Sequence, residues 1–215
     1  MGIGERYEHW LVNSYFDEDT RTELESIRNN HKEIEERFYR DLEFGTGGLR
    51  GIIGAGTNRM NRYTVRKASQ GLANFICRKG EEAKRKGIVI AFDSRHMSPE
   101  FALESARVFA GNGIKTYLFD ELRPTPELSF AVRFFNASAG IVVTASHNPR
   151  EYNGYKVYGE DGAQLSLEGS DAVLKEINEI EDITKVNLIG RDEAIEKGLL
   201  TIIGKQVDDE YIGRL

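Results

Sequence analysis

Residues 139–159 read AGIVVTASHNPREYNGYKVYG. The opening AGIVV is a short apolar run bounded by turn-forming residues, which predicts a strand buried on both faces. The closing YNGYKVYG alternates in character and predicts a second strand returning beside the first. Between them TASHNP packs a hydroxyl, an imidazole, an amide and a proline break into one turn. Polar chemistry at the carboxyl end of a buried strand is where open α/β sheets bind ligands. Two readings of Ser146 stand side by side on these residues, an ordinary turn hydroxyl and a nucleophile. His147, adjacent in sequence, is expected to point away from it, and no G-x-S-x-G elbow occurs, so a hydrolase triad is poorly supported.

The pattern upstream is regular. A helix over about 63–79, the strand IVIAF, a helix over about 99–111, the strand IKTYLF and a helix over about 126–135 lead into AGIVVTA, and LEGSDAVLKEINEIE reads as a closing helix. Strands alternating with helices predict the α/β class, here a three-layer α/β/α sandwich around a mixed, mostly parallel sheet. Ser98-Pro99-Glu100 and Thr125-Pro126-Glu127 each set a hydroxyl before a first-turn proline and an acid, the pattern of a capped helix start. Residues 1–40 read as an N-terminal helical arm, with an apolar face in EHWLVNSYF and dense charge of both signs after it. Residues 41–190 are expected to form the α/β domain. Residues 191–215 end inside an apparent helix, DDEYIGRL, and are expected to begin the connection to a further domain.

Composition excludes several classes. The 215 residues are 40% hydrophobic and 30% charged, ordinary for a soluble chain large enough to bury its own core. A net charge of -6 gives nucleic acid little to hold, and no apolar run reaches membrane-spanning length, so neither partner is expected. The single Cys77, inside GLANFIC, reads as a small buried hydrophobe, and the lack of a disulfide framework fits a reducing cytoplasm.

A second suspect is FGTGGLRGIIGAGTN, residues 44–58, with six glycines. It predicts a flexible loop presenting Arg50, with Arg59 and Arg62 nearby, able to offer amides and guanidinium groups to a phosphate. A glycine hairpin with solvated arginines is the competing reading. Arg50 stands where a dinucleotide fingerprint needs its third glycine, and no phosphate-binding G-x-x-x-x-G-K-[ST] occurs, so ATP and NAD are unsupported. FDSRHMSP adds Asp93, Arg95 and His96 at a strand end, either a site or a loop ion pair. Asp17-Glu18-Asp19 reads as an acidic helix start, and His9, His31, His96 and His147 lack zinc spacing.

FGTGGLRG, FDSRHMS and TASHNPREYNGYK, in that order and at these separations, resemble the first domain of the α-D-phosphohexomutases, the phosphoglucomutase and phosphomannomutase superfamily, over roughly residues 40–165. FGTGGLRGIIGAGTNRMN is similar to the phosphoglucomutase-type branch and its phosphopentomutase relatives. The resemblance implies that Ser146 is a phosphoserine and that Lys156 does acid/base work beside the cation of Arg50. It further implies that His147 contacts the phosphoryl group, that Arg95 braces the loop, and that Arg50, Arg95, Asn148 and Lys156 bind phosphate. The implied reaction interconverts a hexose 1-phosphate and 6-phosphate, glucose foremost, with glucose 1,6-bisphosphate as intermediate and activator. Mg²⁺ is implied between the phosphate on Ser146 and an aspartate loop, D-G-D-x-D-R, that this sequence does not contain. The sugar-reading domains are the implied partners, and the chain alone is expected to be inactive. Phosphomannomutase or phosphopentomutase specificity, a non-catalytic sugar-phosphate-binding module and a phosphatase are the alternatives.

Overall fold

The computed structural model describes residues 1–214. Three helices, α1 (Ile3–Val12), α2 (Glu18–Ser26) and α3 (His31–Phe38), precede a hairpin of β1 (Phe44–Gly45) and β2 (Gly48–Ile52). Then follow α4 (Arg62–Arg78), α5 (Glu81–Lys86), β3 (Ile88–Phe92), α6 (Ser98–Gly111), β4 (Thr116–Phe119), α7 (Thr125–Phe134), β5 (Ala139–Val143), β6 (Tyr152–Gly159) and α8 (Leu167–Asn178). The chain continues through α9 (Arg191–Glu196), β7 (Leu200–Ile203) and α10 (Lys205–Ile212).

One seven-stranded sheet runs in the order β1-β2-β6-β5-β3-β4-β7. Its β5-β3-β4-β7 half is parallel, and the β1-β2-β6-β5 half is antiparallel, so the sheet is mixed as expected. The two central strands, IVIAF and AGIVV, are buried at every position. Period-two alternation divides them between two layers. Ile88, Ile90, Ile141 and Val143 join the core shared with α4, α6 and α8, while Val89, Ala91 and Val142 pack with Leu128, Ala131 and Val132 of α7. Each Ile, Val or Leu side chain among them contributes about 1.5–3 kcal/mol on burial. Cys77 is half-buried against the larger core, and burial pushes its thiol up.

The N-terminal arm has its own apolar cluster of Tyr7, Trp10, Phe16, Leu24, Ile34 and Phe38, which also takes in Ala55 and Tyr63. Trp10 stacks on Phe16 at 4.3 Å between ring centres. Asp17 caps α2 by accepting from Thr20 N at 2.8 Å. The arm therefore clamps the glycine-rich run against the start of α4. This clamp accounts for two arginines that the sequence offered to phosphate. Arg59 is buried, pairs with Glu36 and lies 3.4 Å from Glu33, and Arg62 pairs with Asp17 at 2.9 Å. Both pair with carboxylates of the arm, and the buried Arg59 guanidinium needs such partners. The run is also less of a loop than its glycines suggest, since residues 48–52 form a sheet strand.

The two expected hydroxyl caps are not made. Met97, in a left-handed conformation, precedes α6, and Pro124 precedes α7, with no side-chain cap hydrogen bond at either. Ser98 Oγ instead donates to Asp93 Oδ1 at 2.8 Å. Beyond residue 190 the chain adds β7, which pairs in parallel with β4 and so continues the sheet. Helix α10 then docks on α7 through the buried Val207 and through Arg123, whose Nε and Nη2 donate to both oxygens of Asp208 at 2.7 and 2.9 Å. No helix among the described residues is long and apolar enough to cross a membrane.

Candidate active site

Ser146 lies three residues past β5, exposed, with φ of 56°. A non-glycine residue in that left-handed region costs on the order of 1–3 kcal/mol and persists only where its surroundings enforce it. The enforcement is visible. Ser146 N donates to Thr144 Oγ1 at 3.0 Å, and Asn148 N donates to Ala145 O at 3.1 Å. The same twist overturns the expected orientation of His147, whose Nδ1 lies 3.3 Å from Ser146 Oγ. In an extended backbone successive side chains point apart, but the left-handed residue brings these two to one side.

Strand pairing assembles the cations. In an antiparallel ladder directly opposed residues share a face. Arg50 on β2 opposes Gly154 on β6, and Lys156 opposes Gly48 on one side and Val142 on the other. Arg50, Gly154 and Lys156 therefore share the α7 face of the sheet. Helix α7 lies over β3 and β5, and Arg50, beyond that cover, is exposed. Neither Arg50 nor Lys156 has an ion-pair or hydrogen-bond partner among the described residues. Thr144 N donates to Gly154 O at 3.0 Å, so the serine turn emerges beside the same corner. Glycine is required at 154 because a Cβ there would stand 2.6 Å from Thr144 O and 2.9 Å from Leu49 O, both backbone atoms.

Arg95 is arranged differently from the expectation that it binds phosphate. Its Nη1 donates to Pro149 O and Tyr152 O at 2.9 and 3.1 Å, and its Nη2 to Ser146 O and Asn148 O, both at 2.7 Å. Its Nε faces Asp93 Oδ2 at 3.6 Å. Of the five N–H donors of a guanidinium, four are taken by loop carbonyls and the fifth faces the Asp93 carboxylate. Asn148 stays a candidate: its Oδ1 is enclosed without a partner, while its Nδ2 makes no hydrogen bond among the described residues. Sequence reasoning missed Thr144 and Asn153, and gave Ser98 only a capping role; all three hold these loops in place. Their signal was their position inside two of the three motifs, FDSRHMS and TASHNPREYNGYK, but a supporting role shows only once the partners are seen.

A mixed sheet with a left-handed serine turn at its strand ends, and two unpaired cations on the open face beside it, defines the α/β/α domains built around an exposed serine loop. The sequence family model "Phosphoglucomutase/phosphomannomutase, alpha/beta/alpha domain I" matches residues 41–184, and the chain belongs to that family. It is 42% identical over 205 residues to a phosphoglucomutase of Staphylococcus haemolyticus, covering 95% of this chain and 35% of the relative. To a phosphoglucomutase of Staphylococcus aureus it is 46% identical over 158 residues, 73% of this chain and 28% of the relative. A solved phosphoglucomutase/phosphomannomutase family protein from Burkholderia thailandensis shares the fold, with a TM-score of 0.59 at 23% identity over 80% of this chain and 34% of that one. The chain thus spans about a third of the length of the curated relatives it matches.

Proposed function

We propose that this chain is the phosphoserine-carrying domain of a cytoplasmic phosphohexomutase acting on glucose phosphates. The observation that supports it most is an exposed serine hydroxyl on a left-handed residue just past β5, with Arg50 and Lys156, free of internal partners among the described residues, on the neighbouring strands β2 and β6. Phosphoryl transfer needs little covalent machinery beyond alignment and cations around the transferring oxygens.

In the forward step the Ser146 Oγ–P bond breaks as the free hydroxyl of a hexose monophosphate bonds to phosphorus. The hydroxyl proton passes to a base, for which Lys156 is the candidate, and the serine oxygen regains a proton. The bisphosphate then turns end for end, and Ser146 takes back a phosphoryl group from the other position. Phosphate changes place and nothing is hydrolysed. Arg50, and Asn148 through its Nδ2, hold phosphoryl oxygens, and His147 Nδ1 orients or contacts the group on Ser146.

Mg²⁺ belongs to this reading only in part. Among the described residues no group of three or more His, Cys, Asp or Glu side chains could hold a metal ion, and Asp93 already serves Arg95 and Ser98. The residues present do not fit a complete Mg²⁺ site, so no step is routed through one. The deciding experiment supplies phosphoryl-labelled glucose 1,6-bisphosphate to the longer protein and maps the labelled peptide. Label on Ser146 is the expected result. Label on another residue, or none, refutes the carrier assignment.

A further inference from the structure

We infer that Arg95 is a positioning residue for Ser146, and that it acts by turning the serine loop inside out: carbonyls inward, amides outward. The inference rests on the carrier reading of Ser146. All four of its Nη hydrogen bonds go to carbonyls of one segment, those of Ser146, Asn148, Pro149 and Tyr152. In a trans peptide the N–H points opposite to the C=O. A carbonyl drawn toward Arg95 therefore sends the following N–H the other way. The amides that follow Ser146 and Pro149 are those of His147 and Arg150. Neither donates a hydrogen bond among the described residues, although most backbone amides in a fold are paired. Outward amides beside a serine oxygen make a concave donor surface for an anion.

The brace is itself anchored. Asp93 Oδ1 accepts from Arg95 N at 3.0 Å and from Ser98 Oγ at 2.8 Å. Asn153, fully buried, donates through Nδ2 to His96 O at 2.9 Å and to Ser98 Oγ at 3.0 Å, while its Oδ1 accepts from Gly154 N at 2.7 Å. One network thus joins the loop after β3 to both ends of the serine loop. Because Asp93 balances its charge, Arg95 contributes shape to the site, whereas Arg50 and Lys156 contribute attraction. Lysine cannot substitute, since an ammonium has three donors and no planar fork.

The test uses the chain without phosphate on Ser146, so it stands apart from peptide mapping. Nuclear magnetic resonance of the parent is expected to show Arg95 guanidinium protons protected from exchange, and inorganic phosphate is expected to shift the His147 and Arg150 amides. In Arg95→Lys, the left-handed Ser146 Cα signature and the phosphate-induced shifts are expected to be lost. Amide exchange across residues 146–153 is expected to rise roughly tenfold or more, while β3 and β5 keep their protection. Freely exchanging Arg95 protons in the parent, or an unchanged serine loop in a folded Arg95→Lys, overturns the assignment. If that variant fails to fold, the parent measurement decides alone. Ser146 label with a mobile Arg95 refutes the brace but not the carrier; a protected Arg95 with no label does the reverse.

Discussion

Glutamate 127 offers a sharp test of how α10 is held. Only 5% exposed in the first turn of α7, its Oε1 has no hydrogen-bond partner and stands 3.7 Å from Arg123 Nε. Arg123 has spent itself on Asp208 and, at 3.2 Å, on Asp120. Burial first, then the hydrogen bond and charge of Asp208, raise the Glu127 carboxyl from its ordinary 4.5 to about 7, while the Arg123 hydrogen bond holds Asp208 below its ordinary value. Lys205 adds positive charge near Asp208 but does not reach Glu127. Since the folded state binds the Glu127 proton more tightly than the unfolded chain, stability falls as pH climbs from about 4.5 to about 7 and stays reduced above. At about 1.4 kcal/mol per pH unit the penalty is at most about 3.5 kcal/mol, and relaxation around the site reduces it to roughly 1–2. Glu127→Gln removes the titration and keeps a neutral donor toward Asp208. Urea unfolding of parent and variant between about pH 5 and pH 8 is the assay. The two are expected to be close at the acid end, with the variant more stable at the alkaline end. Parallel pH profiles would refute the reasoning, because every other titrating group is common to both proteins.

Gly154→Ala forces a Cβ onto two backbone carbonyl oxygens that cannot rotate away, and a loss of about 3 kcal/mol or more in unfolding free energy is expected. A melting temperature equal to the parent's would show that β2 and β5 can part at that point. Lys156→Met should leave the melting transition within about 0.5 kcal/mol, because the side chain has no internal partner, yet cut turnover of the longer enzyme at least about a hundredfold. Full turnover would remove Lys156 from the chemistry. The 215-residue chain alone is expected to show no glucose 6-phosphate formation in a coupled assay, because it spans only about a third of the length of the phosphoglucomutases it matches and transfer needs both ends of the sugar phosphate held in line. Turnover abolished by Ser146→Ala would show that this domain is sufficient.

Much of the architecture was legible in the sequence by itself. IVIAF and AGIVV had to be central strands, because five consecutive apolar residues in so short a run are stable only when covered on both faces. The helices between them followed from their periodicity, and TASHNP fell at a strand end because its proline and polar residues cannot extend a buried ladder. Local pattern does not encode register, and register is what set Arg50 opposite Gly154 and Lys156 opposite Gly48, placing both cations on one face. Nor does it encode competition for a charge. Arg59 and Arg50 look alike in sequence, yet the helical arm brings Glu33 and Glu36 to the first and nothing to the second. The sequence offers Arg95 both to phosphate and to the serine loop, and only the fold shows four loop carbonyls on its donors; it likewise offers residues 191–215 as the start of a connection, and only the fold shows that Leu200–Ile203 within them find in β4 an edge to pair against. In each case the deciding partner lies far along the chain, and only the packed structure makes the choice between solvent, substrate and neighbour.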